Sequence, residues 1–293
     1  MNTPRLLYVK IKTIRKFKTV AKAIQMVAMA CLRNLRKKMV TRYTSLMLAK
    51  LFFRADRLSE TSFYDTETQP IFYRNTLYVV YSTDKSNCAP VTSGIRKKVL
   101  PIFRKEQSNN NSFKIICLGK KLACILKQVH KKQLSKVFLD LSNESVAFYM
   151  AYAIASKIVH YDYDSCCIIF TRLLENNTQQ IVKYEIDSIN ILCSKLFMTG
   201  RASNVILDLL ATKSKFDSFS VHELYFFNLC LLLLDALEEL EYCEITTRAN
   251  TMENAVKNIT NLLDMMTLRY NKLRQSLITT ELLEIINAAE VMR

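Results

Sequence analysis

Glycine and proline, the usual breakers of regular structure, are nearly missing: 3 Gly and 4 Pro occur in 293 residues. Long uninterrupted helices are therefore expected. There is no tryptophan. No run of about 20 apolar residues occurs, which excludes a helical membrane span. The nearest, Leu224–Leu234, is followed at once by Asp235, Glu238, Glu239 and Glu241, and reads as a buried helix segment. No strand is followed by G-x-G-x-x-G, and no Walker loop is present, so nucleotide chemistry has no recognised cradle. His130, His160 and His222 stand far apart and in no catalytic motif. The nine cysteines include no C-x-x-C, and their spacing fits neither a zinc site nor a disulfide framework. Buried free thiols in a reducing compartment are expected. No catalytic residue, cofactor or metal site is predicted.

What is present is half hydrophobic and strongly basic, with a net charge of +16. The charge is uneven. Residues 1–60 hold 15 Lys and Arg against only Asp56 and Glu60, whereas residues 220–293 hold 6 against 11 Asp and Glu. A basic and an acidic end attract each other, or the basic end meets an acidic partner. Residues 1–20 are acid-free and rich in Lys and Arg. That composition fits a mitochondrial presequence and a mature basic helix equally.

Residues 5–57 and 201–293 each contain no Gly and no Pro. In the first, small or apolar residues recur at Ile14, Phe17, Ala21, Ile24, Ala28, Cys31 and Leu35, a period of 3.5. In the second, the seam runs Met252, Val256, Ile259, Leu263, Met266, Tyr270, Leu273 and Leu277. It then slips by one to Ile278, Leu282, Ile285 and Ala289. A helix from about Ser220 to the end far exceeds ordinary globular lengths. An antiparallel coiled coil of the two termini buries both seams most simply; pairing of each helix with its copy in a homodimer is the alternative.

Between the helices the pattern alternates. Residues 61–75 read as a linker. Strands are predicted at Thr76–Ser82, Phe113–Leu118, Lys136–Leu141, Cys166–Leu174 and Gln180–Ile186, and helices at Val91–Arg104, Lys120–Leu134 and Glu144–His160. This alternation predicts a small α/β domain with parallel strands. The expected organisation is a helix over 1–60, the linker, an α/β domain over 76–200 and a helix over 201–293.

The run Thr267–Ile286, TLRYNKLRQSLITTELLEII, resembles the C-terminal signature of the gamma subunits of F-type rotary ATP synthases, T-L-x-Y-N-x-x-R-Q-x-x-I-T-x-E-L-x-E-I. Met252–Ala255 with Lys257 and Asn258 resembles the family's M-x-N-A-x-x-N segment, and Lys10–Ala28 its I-x-x-I-x-K-A-M-x-M-V-A stretch. The family's D-R-G-L-C-G loop is replaced here by Asp84-Lys85-Ser86-Asn87-Cys88-Ala89, without glycine. The inserted cysteine pair of plastid members has no counterpart, with only Cys193 nearby.

The resemblance implies α/β architecture with a coiled coil of the terminal helices and a Rossmann-like central domain. It implies the central stalk of an ATP synthase, with no catalytic site of its own. Implied partners are the alpha and beta subunits of the catalytic head, the delta and epsilon subunits of the stalk, and the membrane c-ring. The implied place is the matrix side of the mitochondrial inner membrane, or the cytoplasmic side of a bacterial plasma membrane. Arg274 and Gln275, with Thr279 one turn on, would form a catch gripping a catalytic subunit, since an Arg fork suits a carboxylate. Ile24 is either coiled-coil core or a contact with the head. Arg33, Arg36, Lys37, Lys38 and Arg42 would face acidic loops of the head, or form an ordinary solvated face. A basic coiled-coil nucleic-acid binder is the alternative function; no reading motif or aromatic platform accompanies it.

Overall fold

The computed structural model describes residues 4–52, 75–84, 88–109, 111–141, 145–174, 178–192 and 218–291. The expected linker at 61–75 falls almost wholly outside them, as does 201–217. In chain order the elements are α1 (Pro4–Phe52), β1 (Asn75–Tyr81), α2 (Ala89–Ser108), β2 (Ser112–Leu118), α3 (Lys120–Val129), β3 (Leu134–Phe138), α4 (Phe148–Ile158), β4 (Ser165–Leu173), β5 (Gln179–Asp187) and α5 (Ser218–Val291). The chain divides into two compact units, Met1–Cys31 with Arg248–Arg293, and Leu32–Thr247.

The first unit is an antiparallel helix pair. Tyr8 faces Tyr270 with ring centroids 6.1 Å apart, and the unit closes at Cys31 and Arg248, so numbering rises on one helix as it falls on the other. Met252 and Leu263 are buried, and Val256, Ile259, Met266, Tyr270 and Leu273 are half-buried. That is the seam expected from α5's sequence, up to Leu273.

On α1 the expected phase needs correction. Phe17 is 63% exposed and Cys31 is exposed. The buried line instead runs Leu7, Ile11, Ile14, Lys18, Ala21, Gln25 and Ala28, with Ile14, Lys18 and Gln25 half-buried, and continues along the helix to Leu32 and Leu35. Both lines share Ile14, Ala21, Ala28 and Leu35, and differ in whether the next step is three or four residues. The four-residue step brings in buried Ile11 and Leu32 in place of Phe17 and Cys31, with Lys18 and Gln25 half-buried on the same line. Ala21 and Ala28, small in either phase, let the helices approach.

The second unit is built on a five-stranded sheet in the order β3-β2-β1-β4-β5. The first four strands are parallel, as expected from continuous apolar runs such as Leu77–Tyr81, all buried. β5 departs from the expectation by pairing antiparallel with β4, from Ser165–Asp187 to Leu173–Gln179. Only residues 174–178 join the two strands, and Leu174 N–H donates to Thr178 O (2.9 Å). So short a link makes a hairpin and cannot carry a parallel crossover.

Gly119, between β2 and α3, has φ +106°, and a Cβ there would lie 2.2 Å from Ser82 O. Only glycine fits this turn. The next N–H, of Lys120, donates to Asp84 Oδ1 (2.6 Å), so Asp84 satisfies one orphan donor at the start of α3.

The Leu-rich stretch of α5 closes the core of this unit. Tyr225, Leu229, Cys230, Leu232, Leu233, Ala236 and Cys243 are buried with the strands and with α4. No described helix is long and apolar enough to cross a membrane. Eight cysteines are described, none of them in a disulfide; six are buried, while Cys31 and Cys124 are exposed, contrary to the expectation of burial for all. Burial pushes the Cys230 thiol up to about 11 and Cys117 and Cys243 to about 12.

Candidate functional site

The expected catch lies on the last five turns of α5. Beyond Leu273, every described side chain from Arg274 to Glu290 is exposed. At 1.5 Å per residue this stretch of helix is about 25 Å long. It carries Leu277, Ile278, Leu282, Leu283, Ile285 and Ile286, all more than 40% exposed. Apolar side chains at such density on a lone helix call for a covering partner.

Arg274 and Gln275 stand at the start of this stretch. Gln275 and Thr279 lie one turn apart on the same face, where the Thr279 hydroxyl donates to Gln275 O (2.9 Å). The hydroxyl oxygen keeps its acceptor capacity, beside the five N–H donors of Arg274 and the amide of Gln275. The side chains therefore present donors and acceptors at the edge of an apolar surface.

The other candidates sit on α1. Ile24 is half-buried beside the seam. Arg33, Arg36 and Lys37 are exposed, on one face by their three- and four-residue spacing. The side chains of Lys38 and Arg42 lie outside those described.

The α/β unit offers a second place to look for chemistry. In a doubly wound sheet, a ligand binds beyond the carboxyl ends of the strands, where the strand order reverses, here between β1 and β4. That position is occupied by the chain itself. Cys88, the residue before α2, is fully buried and its thiol donates to Glu244 O on α5 (3.4 Å). Thr83, just after β1, shares a 2.7 Å hydroxyl contact with Thr92 of α2. Tyr81 donates to Leu233 O (3.3 Å), and Gln179 Nε2 to Thr247 Oγ1 (2.8 Å). The α2 N-terminus, which would meet a phosphate, instead packs on α5. Among the described residues no group of three or more His, Cys, Asp or Glu could hold a metal.

Sequence reasoning missed one polar cluster. Arg172 on β4 donates through Nε to Glu239 Oε1 (3.0 Å), and through Nη2 to Tyr184 OH (2.7 Å) and Asp235 Oδ2 (3.4 Å). Tyr184 on β5 donates in turn to Asp235 Oδ2 (3.2 Å). Burial and the neighbouring Asp235 carboxylate push the Tyr184 hydroxyl well above its ordinary range, so it stays a donor. Two acids one turn apart within a leucine-rich helix, and a single Arg in an apolar strand, were the signals available.

A coiled coil of terminal helices and a doubly wound unit whose ligand crevice is filled from within leave an uncovered apolar helix end, a surface suited to a partner. A family model described as ATP synthase matches residues 4–292. The chain belongs to the ATP synthase gamma-subunit family. Similar relatives include the mitochondrial ATP synthase subunit gamma of Drosophila melanogaster, 24% identical over all of this chain and 91% of the relative. Another is the ATP synthase gamma chain of Geobacter sp., 24% identical over 97% of this chain and 96% of that one. The fold matches a chain of the Euglena gracilis mitochondrial ATP synthase OSCP/F1/c-ring structure with a TM-score of 0.78, at 23% identity, covering 99% of this chain and 95% of that one. A Tetrahymena thermophila central stalk/c-ring structure gives 0.59 at 18% identity, covering 80% and 99%.

Proposed function

We propose that this chain is the central rotor shaft of an ATP synthase, coupling rotation of a proton-driven ring to ATP synthesis at catalytic sites on other subunits. Family membership supports the assembly, and the bare end of α5 is the observation that supports the role. A shaft acts on a ring of identical sites only by touching them differently, because a contact shifts an equilibrium only through its differential affinity for two states. The α5 end is chemically asymmetric, with Arg274, Gln275 and Thr279 at one level and an apolar tip beyond.

The shaft itself has no catalytic site, a reading supported by the filled crevice between β1 and β4. Its partners are the alpha and beta subunits of the head, the delta and epsilon subunits of the stalk and the c-ring. Its place is the matrix side of the mitochondrial inner membrane, as the mitochondrial names of several relatives favour. Arg274 and Gln275 grip a catalytic subunit, with Thr279 in the same contact. Arg33, Arg36 and Lys37 attract acidic loops of the head, and Ile24 sits beside the seam at a contact level.

The test is Arg274→Ala with Gln275→Ala in the assembled complex. ATP synthesis in the double variant falls several-fold, on the scale of about tenfold for each 1.4 kcal/mol of interaction energy removed, while assembly persists because the shaft's seam is untouched. Unchanged synthesis would remove the catch assignment. Recovery of the chain outside any ATPase-active complex would overturn the rotor reading itself.

A further inference from the structure

We propose that Arg172, Tyr184, Asp235 and Glu239 form a register clamp that fixes α5 on the sheet, so that turning force passes between the α/β unit and the helix without slip. The proposal rests on the rotor reading and assigns it a set of positioning residues.

One line of the apolar contact between α5 and the sheet repeats along the helix, although Leu232 and Ala236, one turn apart and both fully buried, do not interchange. Leu229, Leu233 and Leu237 are spaced by four residues and all buried. A slide of one turn replaces one leucine by another. Hydrophobic burial is non-directional and scales with area, so it resists such a slide weakly. A helix held by these contacts alone would have neighbouring registers of similar stability, and a sustained load would select among them.

The polar set is not degenerate. Asp235 is 2% exposed, Glu239 is 6% and Tyr184 is fully buried. If α5 slid one turn one way, Glu239 and Cys243 would take the two places beside Arg172, and Asp235 would enter the site of buried Leu231. A slide the other way would put Leu231 and Asp235 there and drive Glu239 into the site of fully buried Cys243. In both directions Arg172 loses a carboxylate and another carboxylate enters an apolar site. Removing one partner from a buried charged set leaves an uncompensated charge, whereas well-packed apolar residues can replace the whole set without loss of stability. Such a set therefore specifies register more than it adds stability. The fork of Arg172 adds direction, with Nε and Nη2 committed to carboxylates on successive turns of α5.

The experiment uses the complete ATP synthase in inverted membrane vesicles, with Arg172→Met, Asp235→Leu and Glu239→Leu introduced together. The measurement is protons pumped per ATP hydrolysed as the opposing gradient rises. At low gradient the triple variant matches the wild type. At high gradient its ratio falls about two-fold or more, because register is lost under load. A ratio equal to wild type at every gradient overturns the clamp. A purely structural role would instead lower thermal stability and yield while leaving the ratio in assembled complexes unchanged. Should the triple variant fail to assemble, Arg172→Lys decides: it keeps the charge and loses the fork, so it shows the same load-dependent fall if the clamp exists and none if it does not. Failure of the rotor reading has a different signature, since the wild-type chain would then be absent from the ATPase complex.

Discussion

α5 is one continuous helix in two very different settings. Around Leu229–Cys243 it is surrounded, with leucines and buried acids alike held against the sheet. From Arg274 to Glu290 it is bare, although its sequence is again rich in Leu and Ile. The first stretch is apolar at 11 of 15 positions and the second at 8 of 17; what differs most is what they touch. In the first, burial supplies stability to this chain. In the second, the same residue types contribute almost nothing to it, so their presence points to a partner.

Substitutions separate the two stretches most strongly in the core. Leu232→Ala, at a fully buried site, should lower the unfolding free energy by about 4 kcal/mol, from lost transfer energy and the cavity left behind. Leu282→Ala, at a site 54% exposed, should change it by less than about 0.5 kcal/mol. Urea unfolding of the isolated chain measures both. A comparable loss at the two sites would mean that the end of α5 is covered within the chain, and would remove the argument for an outside partner.

A second contrast lies between the seam and the tip. Val256→Pro places a ring inside α5 where the helix is paired, at a cost of about 3 kcal/mol in lost hydrogen bonding and clash. Deleting residues 282–293 removes only residues beyond the seam. Coupled ATP synthesis should therefore suffer more from the single proline than from the loss of the whole tip. Equal damage from the two changes would contradict the coiled-coil account of the shaft.

The seam on α5 was readable because successive heptads agree on one line from Met252 to Leu273. The α1 line was misphased at Phe17 and Cys31, because two lines share Ile14, Ala21, Ala28 and Leu35, and only the partner helix chooses between them. Strand positions were readable from apolar runs, but the reversal of β5 depended on a link, residues 174–178, too short for a crossover. The cluster around Arg172 left only separate signals, two acids one turn apart in a leucine-rich helix and a single Arg in an apolar strand, with nothing to join them. It joins β4 to acids of α5 that are distant in sequence, and it exists only because α5 settles on the sheet in one register. The catch at Arg274 and Gln275 came from resemblance to a family; the structure adds that these side chains are exposed.

The smallest expected effect extends the contrast between buried and bare to the histidines. His160 and His222 are exposed, whereas His130 is 2% exposed, packed edge-on against Phe103 (5.6 Å) and near Phe113 (6.3 Å). Neither of its ring nitrogens has a hydrogen-bond partner among the described residues. Burial, with the Arg104 charge nearby, lowers its pKa below the ordinary 6.5. The unfolded chain therefore takes up the proton first as pH falls, and stability declines from about pH 6.5 down to the lowered folded value. Above that window the contribution is complete; below it the slope ends, because both states are protonated. His130→Phe fills the same aromatic site without a titrating group. The urea midpoint of the variant should fall less between pH 7 and pH 5 than that of the wild type, with the two converging in behaviour above pH 7. A parallel fall in both proteins would show that His130 titrates alike in the folded and unfolded chain, its ring nitrogens reaching solvent or an acid after all.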